Sequence, residues 1–240
     1  MRSDPEGEAY ARRRGDPRAR VLLSCEHASS RLPPGWAWHA EDRHLRDQHW
    51  ALDRGAAALT HELAERLDAT AVLACFSRLL VDANRPEDSE DLFLREADGH
   101  RLRLNERIES EERRRRLERY HRPYHAAIDR ELGGCAAEWL LAIHSFSPSY
   151  QGEVREMEIG ILFDEEEEAA SRLALSLEAA GLRVALNEPY SGKDGLMYSA
   201  ERHARRHGRR PLELEIRQDR AIDPAFRRRL VALLASALPL

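Results

Sequence analysis

Histidines stand at the ends of two short apolar runs in this 240-residue chain. The run Val21–Leu23 leads into Ser24–His27, and the run Leu140–Ile143 leads directly into His144. A buried imidazole is costly unless it is hydrogen-bonded to the backbone or binds a metal. Two histidines from different strands can converge on one ion, and zinc then needs a third ligand, a carboxylate or another histidine. The pattern favours a metal centre, with a hydrogen-bonded core histidine as the alternative for His144.

Other predicted strands also end in polar residues, namely Asp82, Asn84, Arg85, Ser145, Asn187, Glu213 and Glu215. In open α/β sheets the ligand site lies at the carboxyl ends of the strands. Each residue alone is typical of an ordinary surface position. Their joint placement predicts a functional site at one edge of the sheet.

Two acidic residues, Asp47 and Glu26, are candidates for the remaining ligand. Glu26 adjoins His27, but neighbouring side chains of an extended strand point to opposite sides, which disfavours a shared ion. Asp47 precedes a predicted helix over 47–68, where simple N-capping is the alternative interpretation. Asp53 is expected to pair with a nearby arginine or to lie in solvent.

Strand and helix patterns alternate along residues 20–240 without a repeat or a linker. Apolar spacing predicts helices over 47–68, over 108–134, and after Asp223, which would cap a helix with Pro224 just inside. Strands are predicted at about 20–24 and in the segments TAVLACFSRLLVDANRP, EWLLAIHSF, MEIGILF, LRVALN and LELEIR. This alternation predicts one α/β domain whose mostly parallel sheet is covered on both faces.

Composition narrows the class of protein further. Residues 1–19 are polar and rich in arginine, so we expect a loosely ordered tail. The net charge of −5 argues against nucleic-acid binding, and in the basic run at 111–120 acids flank the arginines as on a solvated helix. No apolar segment reaches the roughly 18 residues of a membrane span, and no signal peptide is recognisable. With three widely spaced cysteines, a cytoplasmic protein is expected.

A set of motifs that recurs in order over residues 20–220 resembles the N-formylglutamate amidohydrolase family. The stretches are SCEHASSRLP, DQHWALDRGA, SRLLVDANRP, RYHRPYHAAID, AIHSFSP, EIGILF, NEPYSGKDGLMYS and LELEIRQD. The family is similar to zinc exopeptidases and aspartoacylases, which implies a three-layer α/β/α fold with a mixed, mostly parallel sheet. It also implies metal-dependent hydrolysis of an N-formyl or N-acyl amino acid such as N-formylglutamate.

The resemblance identifies His27 and His144 as ligands of one zinc ion. The related metallopeptidases place a glutamate three residues after the first histidine, where this chain has Ser30. Since that glutamate normally precedes a helix, the resemblance assigns the carboxylate ligand to Asp47, with Glu26 as the fallback.

The remaining roles also come from the resemblance and the mechanism that it implies. Asn84 and Arg85 correspond to a pair that grips the substrate carboxylate, and Glu215 to the general base, a role that Glu213 could share. Arg78 is expected to stabilise the tetrahedral oxyanion or to bind a second carboxylate. Lys193, the only lysine of the chain, is expected to close over the substrate from a glycine-flanked loop.

Three other functions remain open at this point. A related metallohydrolase could act on another N-acyl amino acid or a short peptide. A metal-free binding protein could use the same fold, and Ser30 in place of a glutamate keeps this alternative open. A cysteine hydrolase built on Cys25 and His27 lacks an obvious residue to orient the histidine.

Overall fold

The computed structural model describes residues 9–238. The strands of this part of the chain are, in order, β1 (Tyr10–Arg13), β2 (Val21–Cys25), β3 (Thr70–Ala74), β4 (Glu96–Ala97), β5 (His100–Arg101), β6 (Trp139–Phe146), β7 (Ser149–Tyr150), β8 (Glu153–Val154), β9 (Ile159–Leu162), β10 (Val184–Leu186) and β11 (Arg210–Arg217).

The α-helices are α1 (Ala56–Arg66), α2 (Ser110–Arg116), α3 (Arg122–Gly133), α4 (Glu167–Ala179), α5 (Tyr198–His207), α6 (Gln218–Ala221) and α7 (Pro224–Ala237). A π-helical turn at Leu117–His121 joins α2 to α3. Short 3-10 helices occur at Arg43–Leu45, Glu90–Phe93, Arg103–Asn105 and Gly192–Asp194. Asp223 caps α7 by accepting a hydrogen bond from the Ala225 N–H, as predicted. None of the helices in the described range has the length and apolar character needed to cross a membrane.

One large sheet has the strand order β1-β3-β2-β6-β11-β9-β10. The four central strands β3, β2, β6 and β11 run parallel. Edge strand β1 is antiparallel to β3, and β9 is antiparallel to β11 while remaining parallel to β10. Two small hairpins, β4–β5 and β7–β8, lie outside this sheet. The carboxyl ends of β2, β6 and β11 therefore meet at one edge, because these strands are neighbours with a common direction.

Two hydrophobic cores cover the two faces of the sheet. Leu23 of β2 belongs to the core formed with α1, α4 and α7, and Leu22 belongs to the core formed with α3 and α5. Because successive side chains of a strand point to opposite faces, a strand buried on both sides reads as a continuous apolar run. The predicted three-layer α/β/α architecture with a mixed, mostly parallel sheet is confirmed.

Three boundaries differ from the sequence-based prediction. The strand expected in TAVLACFSRLLVDANRP ends at Ala74, and the residues from Cys75 to Pro86 form turns and irregular structure. Tyr10–Arg13 pair with β3 as an edge strand, so the expected loosely ordered tail is wrong there, while residues 1–8 of that prediction lie outside the described residues. The helix expected over 47–68 begins at Ala56, after Gly55 with a φ of 84°. The apolar spacing that placed its start at 47 included Leu52, which lies in a loop and packs with a separate small cluster.

Gly160 on β9 is required by a close approach of the chain. A Cβ atom at this position would lie 2.0 Å from the Glu188 carbonyl oxygen and 3.3 Å from the Cβ of Glu215 on the facing strand β11. The segment that leaves β10 therefore crosses the sheet directly over Gly160. This crossing brings residues that follow Glu188 towards the edge where Glu215 lies.

We expect Gly160→Ala to lower the free energy of unfolding by about 1–3 kcal/mol, the usual cost of overpacking a well-packed position. Urea denaturation measures the change. Gly133→Ala is the matched control, because its Cβ would meet no atom closer than 3.8 Å. Equal stability of the two variants would contradict the close approach.

Candidate metal centre and active site

Three buried side chains converge at the carboxyl edge of the central strands. His27 follows β2, His144 lies in β6, and Asp53 lies in the turn before α1. The His144 Nδ1 atom is 3.1 Å from His27 Nδ1 and 2.9 Å from Asp53 Oδ2, and the third side of this triangle is 3.5 Å. Ligands about 2.0–2.1 Å from a tetrahedral zinc ion lie about 3.3 Å from one another. The donor atoms and their spacing therefore fit a divalent metal, and the three residues could hold one.

Hydrogen bonds of both its backbone and its side chain hold Asp53 in this position. Its N–H donates to the His27 carbonyl oxygen over 2.9 Å, and its Oδ2 atom accepts from the Ser145 N–H over 3.0 Å. The loop before α1 is thus tied to the residues that follow β2 and to β6. This explains why the chain can have Ser30 where the related metallopeptidases have a glutamate, because here a different loop supplies the carboxylate next to the histidines.

A second layer of carboxylates holds the two imidazoles. Asp82 Oδ1 lies 2.7 Å from His27 Nε2, and Glu26 Oε2 lies 3.0 Å from His144 Nε2. Glu26 is held in turn by the hydroxyl groups of Tyr124 and Ser199, which donate to its Oε1 atom. A partner on Nε2 orients the ring and leaves Nδ1 directed at the centre, which is the usual arrangement around metal-binding histidines.

The electrostatics of the cluster follow from burying charges together. Burial would raise the pKa of Asp53, but the neighbouring His27 and His144 outweigh it and hold the pKa well below its usual value. Burial would lower the pKa of His144, but Glu213, Asp53 and Glu26 raise it well above the usual value. Burial likewise opposes the ionisation of Glu26, yet His144 brings the pKa of Glu26 to about 2. The buried carboxylates therefore strongly favour a positive charge at this point.

Glu213 and Glu215 extend the cluster along β11. In the parallel register Glu215 lies opposite His144, and Glu213, two residues earlier, faces the same side. The Oε2 atom of Glu213 is 3.7 Å from His144 Nε2. Within residues 9–238, the Oε2 atoms of both glutamates are buried without a hydrogen-bond partner.

Burial is the main reason why Glu213 and Glu215 hold protons more tightly than exposed glutamates. Burial, with Glu26 and Asp53 nearby, raises the pKa of Glu213 to about 7 against the opposing charge of His144. Burial, helped by Asp53 and Glu213, raises the pKa of Glu215 well above its usual value. A carboxyl group with a pKa of about 7, as Glu213 has, can both accept and return a proton near neutral pH.

Arg78 lies beside the cluster. Its Nε and Nη2 atoms donate to Asp82 Oδ2 over 3.1 and 2.8 Å, and its Nη1 atom lies 3.8 Å from Asp53 Oδ1. The guanidinium is therefore a fixed positive charge within reach of two acidic side chains of the centre.

The predicted carboxylate ligand Asp47 does not join the two histidines, whose neighbouring carboxylate is Asp53. The Asp47 side chain is exposed, and the residues around it form turns and not the start of a helix. The difference has a simple cause, because the assignment to Asp47 depended on a helix boundary that lies nine residues later, at Ala56. The sequence predicts that Asp53 pairs with an arginine or faces solvent, whereas the structure places its carboxylate beside His27 and His144.

Two predicted substrate-binding residues have other partners. The Asn84 side chain donates from Nδ2 to the Leu196 carbonyl oxygen over 3.2 Å and accepts at Oδ1 from the Ser199 N–H over 3.0 Å. It therefore fastens the chain at the start of α5. Lys193 is exposed and forms a surface ion pair with Glu167 at 3.1 Å, so it lies apart from the centre.

Arg85 and Asn187, which are also predicted to lie at strand ends, lie in different places. Arg85 is half-buried beside Asp82, whose pKa its charge helps to lower, and no carboxylate of the described chain pairs with it. Asn187 is at the opposite edge, because β10 runs antiparallel to the central strands, and it accepts from the N–H groups of Phe163 and Gly192. Cys25 is fully buried, and burial raises the pKa of its thiol, which disfavours the thiolate that a cysteine hydrolase needs.

The sheet and the buried cluster define an α/β/α protein with a site suited to a divalent metal. A profile of the family described as N-formylglutamate amidohydrolase matches residues 19–221. The chain therefore belongs to the N-formylglutamate amidohydrolase family, which confirms the resemblance of its motifs.

Two curated relatives match part of the chain. An N-formylglutamate deformylase of Pseudomonas aeruginosa is 33% identical over 138 residues, which cover 52% of this chain and 50% of that protein. One from Pseudomonas putida is 32% identical over 124 residues, 47% of this chain and 45% of that protein. The chain thus spans about half the length of the curated relatives it matches.

Solved structures support the fold over a longer stretch. The crystal structure of a gene product from Agrobacterium tumefaciens is 30% identical, covers 97% of this chain and 94% of that chain, and has a TM-score of 0.87. An N-formylglutamate amidohydrolase from Ralstonia eutropha is 21% identical, covers 95% of this chain and 97% of that chain, and has a TM-score of 0.75.

We expect Asn84→Ala to destabilise the protein by about 1–3 kcal/mol, because it leaves backbone groups near α5 without partners. Lys193→Gln is expected to change the free energy of unfolding by less than about 0.5 kcal/mol, since an exposed ion pair contributes little. Thermal denaturation at matched pH compares the two variants. A stable Asn84→Ala protein would contradict the structural role of this amide.

Proposed function

We propose that the protein hydrolyses the formamide bond of N-formylglutamate to formate and glutamate. The observation that carries this proposal is the pairing of His27 and His144 with Asp53, each imidazole directed by a carboxylate on its other nitrogen. Membership of the N-formylglutamate amidohydrolase family supports the substrate. The deformylase names of the two Pseudomonas relatives support the reaction.

His27, Asp53 and His144 would hold one divalent ion, with zinc as the metal that the two nitrogens and one oxygen suit best. Such an ion supplies Lewis acidity, which polarises a carbonyl group and makes water a stronger acid. Asp82 and Glu26 keep the imidazoles oriented. Metal binding needs an unprotonated Nδ1, so each ring keeps its proton on Nε2, and this N–H donates a hydrogen bond to the neighbouring carboxylate.

Glu215 acts as the general base in this proposal. It takes a proton from the attacking water and returns it to the amine nitrogen as the C–N bond of the formamide breaks. Its burial and its free carboxylate oxygen suit both steps. Arg78 stabilises the negative oxygen of the tetrahedral species, because its guanidinium is fixed beside the centre.

Arg85 is proposed to hold the α-carboxylate of the substrate. It carries a charge without a carboxylate partner in residues 9–238 and lies next to Asp82 at the edge of the cluster. A guanidinium can bind a carboxylate through two parallel hydrogen bonds, which also fixes its orientation. Asn84 has no role in this proposal, because the backbone near α5 already uses its amide.

Asp53→Asn and Asp47→Asn form a matched pair that tests the metal. Loss of a residue that hydrogen-bonds to a metal ligand typically lowers metal affinity by about 10- to 100-fold. Asp53→Asn is expected to lower it further, because Asp53 is itself a proposed ligand. Formate release from N-formyl-L-glutamate should fall with it. Asp47→Asn is expected to leave metal affinity and formate release unchanged. Metal analysis and the formate assay, before and after dialysis against a chelator, measure the difference, and activity that survives complete metal removal would rule out the mechanism.

Glu215→Gln is expected to lower kcat by a factor of about 100 or more, the scale of losing a general base, while the metal stays bound. Steady-state kinetics and metal content are measured on the same preparation. Glu168→Gln, a change at an exposed position of α4, is the control and should leave both unchanged. A Glu215→Gln protein with normal kcat would assign the base to another residue.

A further inference from the structure

Arg155 lies near the candidate centre, and no residue within 9–238 is its charged partner. It directly follows the hairpin β7–β8 and is half-buried. Its Nη1 atom makes two long contacts of 3.3 Å, to the carbonyl oxygen and the hydroxyl of Ser147. Among the described residues no carboxylate oxygen lies within 4.0 Å of its guanidinium. A half-buried arginine in this situation has hydrogen-bond donors to spare.

Three aromatic rings surround this guanidinium. Its central carbon lies 5.6 Å from the ring centre of Phe146, 5.2 Å from Tyr150 and 5.7 Å from Tyr190. The ring faces stabilise the positive charge and exclude part of the surrounding water. An anion that reaches Arg155 would therefore bind more strongly than one at a fully solvated arginine.

The backbone of Arg155 is fastened to the strands that carry the centre. Its N–H donates to the Pro148 carbonyl oxygen, and its own carbonyl oxygen accepts from Arg217 Nη1, both over 2.9 Å. Arg217 follows Glu215 by two residues on β11 and is held by two hydrogen bonds to Asp219. The backbone of Arg155 is therefore held in a fixed relation to β11, the strand that carries Glu215.

Tyr190 links Arg155 to the centre. Its ring centre lies 5.7 Å from the central carbon of the Arg155 guanidinium, and the charges of Glu215 and Asp53 act on its hydroxyl. Burial, with Glu215 and Asp53, raises the pKa of Tyr190, and Arg155 opposes this rise. Arg155 thus lies on the same side as the centre but further from it than Arg78, which approaches Asp53 directly.

Resting on the proposed function, we propose that Arg155 binds the side-chain carboxylate of the substrate and makes the site selective for N-formyl dicarboxylic amino acids. The α-carboxylate of such a substrate is one carbon from the scissile nitrogen, so it must bind close to the reacting group. The side-chain carboxylate is separated from that nitrogen by three carbons. The remote, unpaired guanidinium of Arg155 suits this second group, and its fork can bind the group through two hydrogen bonds.

The test compares two substrates that differ only in the second charge, N-formyl-L-glutamate and N-formyl-L-glutamine. Arg155→Gln, in the metal-loaded protein, is expected to lower kcat/KM for N-formyl-L-glutamate by about 10- to 100-fold, the usual effect of losing hydrogen bonds to a charged group. The same variant should change kcat/KM for N-formyl-L-glutamine by less than about threefold. The loss should appear mainly in KM, because the contact is made equally in the ground state and the transition state.

Arg172→Gln, the same change at an exposed position of α4, is the control and should leave both substrates unchanged. If Arg155→Gln does not fold, Arg155→Lys replaces it. The measured quantity is again the ratio of kcat/KM for N-formyl-L-glutamate to kcat/KM for N-formyl-L-glutamine, which should fall. An equal fall for both substrates, or no fall, would overturn the assignment. A wild-type protein that hydrolyses neither substrate would instead overturn the proposed function.

Discussion

Charged groups buried at one edge of the sheet must neutralise one another, and much of the local structure follows from that requirement. Asp53, Glu26 and Asp82 are nearly inaccessible to solvent, and each contacts an imidazole or guanidinium group. A buried carboxylate without such a partner would cost several kcal/mol. His144 contacts two of these carboxylates, Asp53 and Glu26, so a substitution at His144 would weaken the compensation of more than one negative charge.

The sheet topology meets this requirement by placing β2, β6 and β11 side by side in one direction. Each strand brings its contribution to the same edge, with His27 just beyond β2, His144 within β6 and Glu215 within β11. Helices α3 and α5 cover the face that carries Glu26, where Tyr124 and Ser199 supply hydroxyl donors. The negative charge that remains at the centre is what a divalent cation would balance.

The surroundings of the centre are held by backbone contacts between segments that are distant in the chain. Gly160 allows the chain near Glu188 to cross the sheet, and that crossing brings Tyr190 near Glu215. Arg217 fastens Arg155 to β11 on the same side. These contacts explain how two loops with little regular structure keep aromatic and cationic groups next to a rigid cluster.

The sequence alone determined the fold class and the two histidines, because strand and helix periodicity and the residue type at a strand end are local properties. It also marked Arg78 and Glu215 as residues of the site edge. Only the tertiary structure decided that Asp53 and not Asp47 joins the histidines, since the choice depends on a hydrogen bond to His27 across a loop. For the same reason no local sequence pattern could show that the side-chain amide of Asn84 is hydrogen-bonded to the backbone near α5. The contacts of these residues come from segments far away in the chain, and spacing in sequence carries no information about them.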